Sequence, residues 1–288
     1  MSLKNDLIRD VKLAYYQLAF KQTSLLQYEK LDSLYLKMEK IIQKQLELEE
    51  IDFTNQANFV LESQQFHLEV HQKELDINVT LANLHQYLPS LSFDTIQTTK
   101  LEVTKFIQGT TDNNPILQLA SKQTLQQEKN IEVSKNNLAI NWTIGYVNKK
   151  LEEQIVSEYN IEVDIPLWRK ASKAQIQAQK IEYKNTLIQQ KATDLQIKAQ
   201  EEKVYQEYLK NKESLEFYEK KAIPIMEKVI KLSKKKYQQG EIDFLTYAQN
   251  IQKSIQIELD HLSAILHLNQ SIIELEYLSG DLIKGKFE

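Results

Sequence analysis

Residues 237–247 read Tyr-Gln-Gln-Gly-Glu-Ile-Asp-Phe-Leu-Thr-Tyr. Gly240-Glu241-Ile242-Asp243 is a turn between two uninterrupted helical patterns. The stretch Glu241-Ile242-Asp243-Phe244 matches Glu50-Ile51-Asp52-Phe53, about 190 residues earlier and again between two helical patterns. Gln86-Tyr87-Leu88 and Glu276-Tyr277-Leu278 stand at nearly the same separation, each at the end of the helix that follows the turn. Two matches at nearly one offset, in one structural context, mark a duplicated helix hairpin. No strand pattern precedes the first copy, so the opening of the repeat has no counterpart in this sequence. Glu49 stands where the second copy has Gly240, so a shared turn geometry does not follow from the sequence.

The composition agrees with long helices. Among 288 residues there are only 5 Gly and 4 Pro, too few for the turns and phosphate loops of an α/β enzyme. Gln, Glu, Lys, Leu and Ile are abundant, all residues at home in helices or their packed faces. The absence of cysteine removes disulfides, thiolate metal sites and cysteine catalysis. A net charge of −4 with few Arg argues against nucleic-acid binding. No apolar run reaches the ~18 residues of a membrane-spanning helix, and the N-terminus lacks the pattern of a signal peptide.

Six segments follow. Residues 1–88 form a helix hairpin that turns at Glu49–Phe53, with Asp52 as N-cap and Pro89 as stop. Residues 89–113 are irregular, with short strand pieces around Leu91, Phe93 and Ile96. Asn114-Pro115 opens a helix over 114–137. Within 138–168 the period changes to two. Leu138, Ile140, Trp142, Ile144 and Tyr146 alternate with small or polar residues, and Tyr159, Ile161, Val163, Ile165 and Leu167 do the same. The polar stretch Asn148–Ser157 separates these two strands. Residues 169–279 are a second long hairpin, which Pro224 kinks and Gly240 turns; 280–288 are a tail after Gly280, the helix C-cap. Ala171, Ala174, Ala178, Ile181, Ile188, Ala192, Leu195 and Ala199 make a heptad stripe, with Asn185 in the skipped position.

The strand pair puts Trp142, Ile144, Tyr146, Ile161, Val163 and Ile165 on one face. It puts Asn141, Thr143, Glu162 and Asp164 on the other. A lone hairpin is marginal in water, so the pair needs a further partner. A lipid-facing barrel wall with a wet lumen fits this alternation, and so does an amphipathic hairpin packed on helices. Trp142 and Trp168 fit either interface or packing positions. His67 and His71, at i and i+4, have the spacing of a metal pair, but the sequence is not His-Glu-x-x-His and solvated helix residues are the default. Lys234-Lys235-Lys236 is a solvated face or a patch for an acidic partner.

Tyr237–Tyr247 resembles the Y-x-x-G-E-x-D-x-L helix-turn of the TolC-like outer-membrane efflux proteins. Ile161-Glu-Val-Asp-Ile-Pro-Leu-Trp168 with the helix after it resembles that family's last barrel strand and exit. Asn114-Pro115 resembles the entry to its second repeat, and Val11–Leu18 the entry to its first long hairpin. Ile273–Gly280 resembles the heavy-metal, Cus/Czc-like branch. The resemblance implies a mainly α fold, with long antiparallel hairpins forming a tunnel and a small β-hairpin contribution to a trimeric outer-membrane barrel. It implies a passive, non-enzymatic duct without cofactor, working with a periplasmic adaptor and a proton-driven resistance–nodulation–division pump, with heavy-metal cations as cargo. The gate and adaptor tips carry over to Glu49, Glu50, Asp52, Phe53, Tyr237, Gly240, Glu241, Asp243 and Phe244. Asn141, Thr143, Glu162 and Asp164 would line the lumen, and the apolar strand face would meet lipid. A fragment, or part of a longer polypeptide, in the outer membrane and periplasm is the expectation. The competing expectation is a soluble coiled-coil scaffold.

Overall fold

The computed structural model describes residues 2–89, 101–106, 113–136, 140–151, 154–164, 169–280 and 282. The chain divides into two compact units, residues 1–111 with 200–288, and residues 112–199.

The first unit is a layer of long helices. α1 (Ser2–Glu47) and α2 (Phe53–Tyr87) form the first hairpin. At 1.5 Å per residue α1 is about 69 Å long. α4 (Arg169–Phe217) enters this unit from the second, and after the turn Tyr218–Ala222 it continues as α5 (Ile223–Gln238). α6 (Phe244–Ser279) then runs back and ends at Gly280, in the left-handed conformation that glycine allows (φ 75°). α1 packs against α2 on one side and α6 on the other, and α6 in turn packs against α5.

Tyr35, 5% exposed, ties three of these helices together. Its ring stacks on Phe66 (centroids 4.9 Å apart) and Phe59 (5.9 Å) of α2. Its hydroxyl donates to Glu62 of α2 at 3.1 Å and accepts from Gln252 of α6 at 3.2 Å. Burial, followed by the Glu62 charge, pushes this phenol up to about 12. Near the other end of α1, the Tyr277 hydroxyl of α6 donates to Asp6 (2.6 Å), and the Arg9 guanidinium lies 4.5 Å above the Tyr277 ring. Lys12 pairs with Glu276 at 2.9 Å.

Pro224 does more than kink a helix. It has no N–H to give the carbonyl four residues back, and the backbone answers with a single π turn in which the Ile223 N–H bonds Tyr218. The periodicity had no means of showing this, since the apolar pattern passes through it. Residues 101–106 have no regular structure, yet Leu101 is buried and Phe106 packs on Tyr208 (4.9 Å). Asn269 of α6, with no exposed surface, holds this segment like a strand neighbour. It accepts from the Thr104 N–H (2.8 Å) and donates to the Glu102 carbonyl (2.9 Å). Leu91, Phe93 and Ile96 lie outside the described residues.

In the second unit, Asn114 caps α3 (Pro115–Asn136) by accepting from the Ile116 N–H at 2.8 Å. β1 (Asn141–Leu151) and β2 (Gln154–Asp164) form an antiparallel pair. The strands reach further toward their turn than the alternation of large residues does. Val147–Leu151 and Gln154–Glu158 are also strand, because ladder hydrogen bonds are made by the backbone and do not require apolar side chains. Residues 137–139 and 165–168 lie outside the described residues. The alanine-rich stripe on α4 is exposed, and the helix buries the opposite one, which includes Ile176, Ile197, Val204 and Leu215.

Replacing Tyr35 by Phe keeps the stacking and removes two hydrogen bonds whose other partners, Glu62 and Gln252, are exposed and can turn to water. Urea unfolding is expected to show a loss of about 0.5–1.5 kcal/mol. Because the folded phenol titrates above its unfolded value, its stabilisation is complete below pH ~10 and is lost as pH rises toward 12. The alkaline fall of the wild-type unfolding midpoint should therefore be shallower in Tyr35→Phe.

Candidate functional site

Two features of the chain have the geometry of working surfaces: the paired tips of the first unit and the β-hairpin of the second. The tips match bond for bond. At the first, the Glu49 N–H bonds Leu46 (3.0 Å) and the Glu50 N–H bonds Gln45 (2.8 Å). At the second, the Gly240 N–H bonds Tyr237 (3.1 Å) and the Glu241 N–H bonds Lys236 (2.9 Å). Both are helix-ending Schellman turns. Asp52 then accepts from the Asn55 N–H and Asp243 from the Thr246 N–H, each at 2.7 Å. These two aspartates are helix N-caps. Hydrogen bonds from the Thr246 side chain and backbone hold the Asp243 carboxyl below its usual range.

The Glu-for-Gly exchange left the first turn open in the sequence; the structure gives both tips one geometry. Glu49 takes the left-handed conformation (φ 58°) that Gly240 takes at φ 71°. The turn motif outweighs the steric cost that a Cβ meets there. The tips differ in their side chains. Tyr237 stacks on Tyr247 (5.2 Å) and meets Phe244 edge-on (5.7 Å). Phe53, the counterpart of Phe244, is exposed, and Leu46 and Gln56 stand in the first copy where the second has Tyr237 and Tyr247. Tyr247 belongs with the tip residues; its place three residues after Phe244 on one helix face was the available signal. Glu49, Glu50 and Glu241 are exposed carboxylates.

The β-hairpin register sorts its faces. Trp142 lies opposite Val163, Ile144 opposite Ile161 and Tyr146 opposite Tyr159. All six are exposed, Ile144 at 78% and Trp142 at 69%. The other face pairs Asn141 with Asp164, Thr143 with Glu162 and Gly145 with Asn160. A Cβ added at Gly145 would meet the Asn160 amide. The apolar face ends at Tyr146 and Tyr159, whose rings are 4.9 Å apart. Beyond them the same face continues with Asn148 and Ser157, and the Tyr146 hydroxyl lies 3.2 Å from Ser157. Aromatic residues with a polar tip at such a boundary are what a membrane interface selects. Ile165 lies outside the described residues.

The two helical histidines do not converge. His67 meets Asp32 (3.2 Å) and His71 meets Glu74 (3.1 Å). Among the described residues no group of three or more His, Asp or Glu side chains is placed to hold a metal ion. No described helix is long and apolar enough to cross a membrane. Lys234, Lys235 and Lys236 are exposed in the last turns of α5, where cations oppose the negative end of the helix dipole.

No protein-family model and no curated protein matches the chain. Solved structures do. The CmeC outer membrane channel of Campylobacter jejuni superposes with a TM-score of 0.71 at 11% identity, over 97% of this chain and 63% of that one. A membrane protein from Pseudomonas aeruginosa gives 0.78 at 11% identity, over 97% and 68%. CusC, a transmembrane channel, gives 0.76 at 12% identity, over 96% and 69%. The chain thus spans about two-thirds of the length of these proteins, and CusC does not stand apart from the others.

Since Gly240 has open space around its Cβ position, only backbone strain should act there. Gly240→Ala is expected to cost about 1 kcal/mol, and Glu49→Gly to gain about 0.5–1 kcal/mol, by urea unfolding. These helices, tips and strands, superposed on such channels at this identity, give the chain the fold of the TolC-like outer-membrane channels.

Proposed function

We propose that the chain is the channel component of an export system, a passive duct in the outer membrane through which a pumped substrate leaves. The observation that carries this reading is the apolar hairpin face. Six large side chains in three cross-strand pairs share one exposed face, with the polar residues Thr143 and Glu162 on the other. Such a ribbon has a dry side for lipid and a wet side for a lumen. On this reading Asn141, Thr143, Glu162 and Asp164 line the water path, and the carboxylates favour cations.

A homotrimer is the proposed assembly, and the edges of the helical layer support it. The outer face of α2 carries Leu61, Leu68, Leu75 and Val79, all exposed, and α5 exposes Ile225 and Leu232. An apolar stripe on each of two different edge helices is suited to head-to-tail contacts that close into a ring. The tips Glu49–Phe53 and Tyr237–Phe244 are the proposed gate and the docking points for a periplasmic adaptor. The adaptor would couple the duct to a proton-driven inner-membrane pump. Heavy-metal cations are the cargo that the resemblance of Ile273–Gly280 points to. The exposed heptad stripe of α4 favours a second reading, a soluble coiled-coil scaffold.

Light scattering with and without detergent separates the two. A detergent-dependent trimer is the expected result, and a well-behaved monomer or dimer without detergent would sink the duct. Leu68→Glu combined with Leu75→Glu should convert the trimer to monomer. In liposomes of brominated phospholipid, Trp142 fluorescence should be quenched in a Trp168→Phe background. Ile144→Arg should weaken insertion by about 2–4 kcal/mol.

A further inference from the structure

We infer that the crevice between α3 and the first half of α4 is a docking site for an amphipathic helix of another polypeptide, one whose flanks carry carboxylates. The cavity measures about 910 Å³, and its lining includes Leu117 of α3 with Leu187 and Ile188 of α4. The charged part of the lining is mostly cationic. Lys122, Lys184 and Lys191 line the cavity, and none of the three makes an ion pair with a described residue. The one acid in the lining, Asp194, is already held by Lys198 at 2.9 Å.

The crevice opens onto the exposed heptad stripe of α4. Ile181, Ile188 and Leu195 occupy one core position, and Ile188 is 68% exposed. Ala178, Asn185 and Ala192 occupy the other, also exposed. Small residues at alternate core positions let a second helix come close. Lys184, Lys191 and Lys198 recur at seven-residue steps along one flank, the position that selects partners in coiled coils. A second copy of α4 packed antiparallel would set this lysine flank against itself. Packed parallel, the lysines would meet Gln189 and Gln196, which offer no counter-charge. A helix with acidic flanks satisfies both the apolar and the basic residues of the lining.

The inference stands apart from the duct reading, because a scaffold would need the same partner.

The test uses the full chain and two labelled peptides of ~28 residues, four heptads with Ala and Leu at the core positions. One carries Glu on both flanks and the other Lys. The Glu-flanked peptide is expected to bind at least about tenfold more tightly by fluorescence anisotropy. Ile188→Glu should abolish binding. Lys184→Glu with Lys191→Glu should reverse the preference between peptides, which a merely unfolded variant would not do. Absence of binding, equal binding of both peptides, or indifference to Ile188→Glu would overturn the proposal. So would self-association of the chain that Ile188→Glu removes, since that assigns the stripe to a second copy. None of these readouts depends on membrane insertion or conductance.

Discussion

The first unit depends on one helix being wanted on two sides. α1 lies between α2 and α6, and at Tyr35 a single side chain serves both contacts, with its ring against α2 and its hydroxyl between Glu62 and Gln252. The apolar stripe of α1 serves both neighbours at once. Leu31, Leu34, Tyr35 and Met38, at i, i+3, i+4 and i+7, are buried in one cluster with Phe59 and Phe66 of α2 and Ala248, Ile255 and Leu259 of α6. The polar contacts then fix register. Tyr277 on Asp6 and Lys12 on Glu276 hold one end of the α1–α6 pair, and a slide by one turn would break both.

Much of this was legible in the sequence because it is periodic or local. Helix ends carried their own markers: Asp52 and Asp243 as caps, Asn114-Pro115 as an entry, Gly280 as an exit. The alternation over residues 142–146 and 159–163 gave the two strand faces, which the register keeps apart. The illegible parts are those that depend on partners distant in the chain. Asn269 reads as an ordinary polar residue in an apolar helix until Thr104 and Glu102 are placed beside it. The hairpin ends were hidden by Asn148, Lys149, Lys150, Gln154, Ser157 and Glu158, polar residues that a ribbon tolerates when its backbone is paired. The α4 stripe reads as a heptad, but a heptad does not say whether its partner lies within the same chain.

The tips show how a duplication can keep a backbone while changing its side chains. The bonds made by Glu49 and Glu50 repeat those made by Gly240 and Glu241, although one turn is centred on glutamate and the other on glycine. The hydrogen-bond pattern, set by the ends of two antiparallel helices and a capping aspartate, is the inherited feature. Aromatic bracing by Tyr237, Phe244 and Tyr247 belongs to the second copy alone.

The two loops thus share a shape and differ in resilience. Glu49 pays for a left-handed backbone that Gly240 adopts freely, and its copy has Leu46 and Gln56 where the second has Tyr237 and Tyr247. Backbone opening in a folded chain begins where local stability is least. Amide protons around Glu49 and Glu50 should therefore exchange with solvent ahead of those around Gly240 and Glu241, which makes the first loop the softer of two otherwise matching ends.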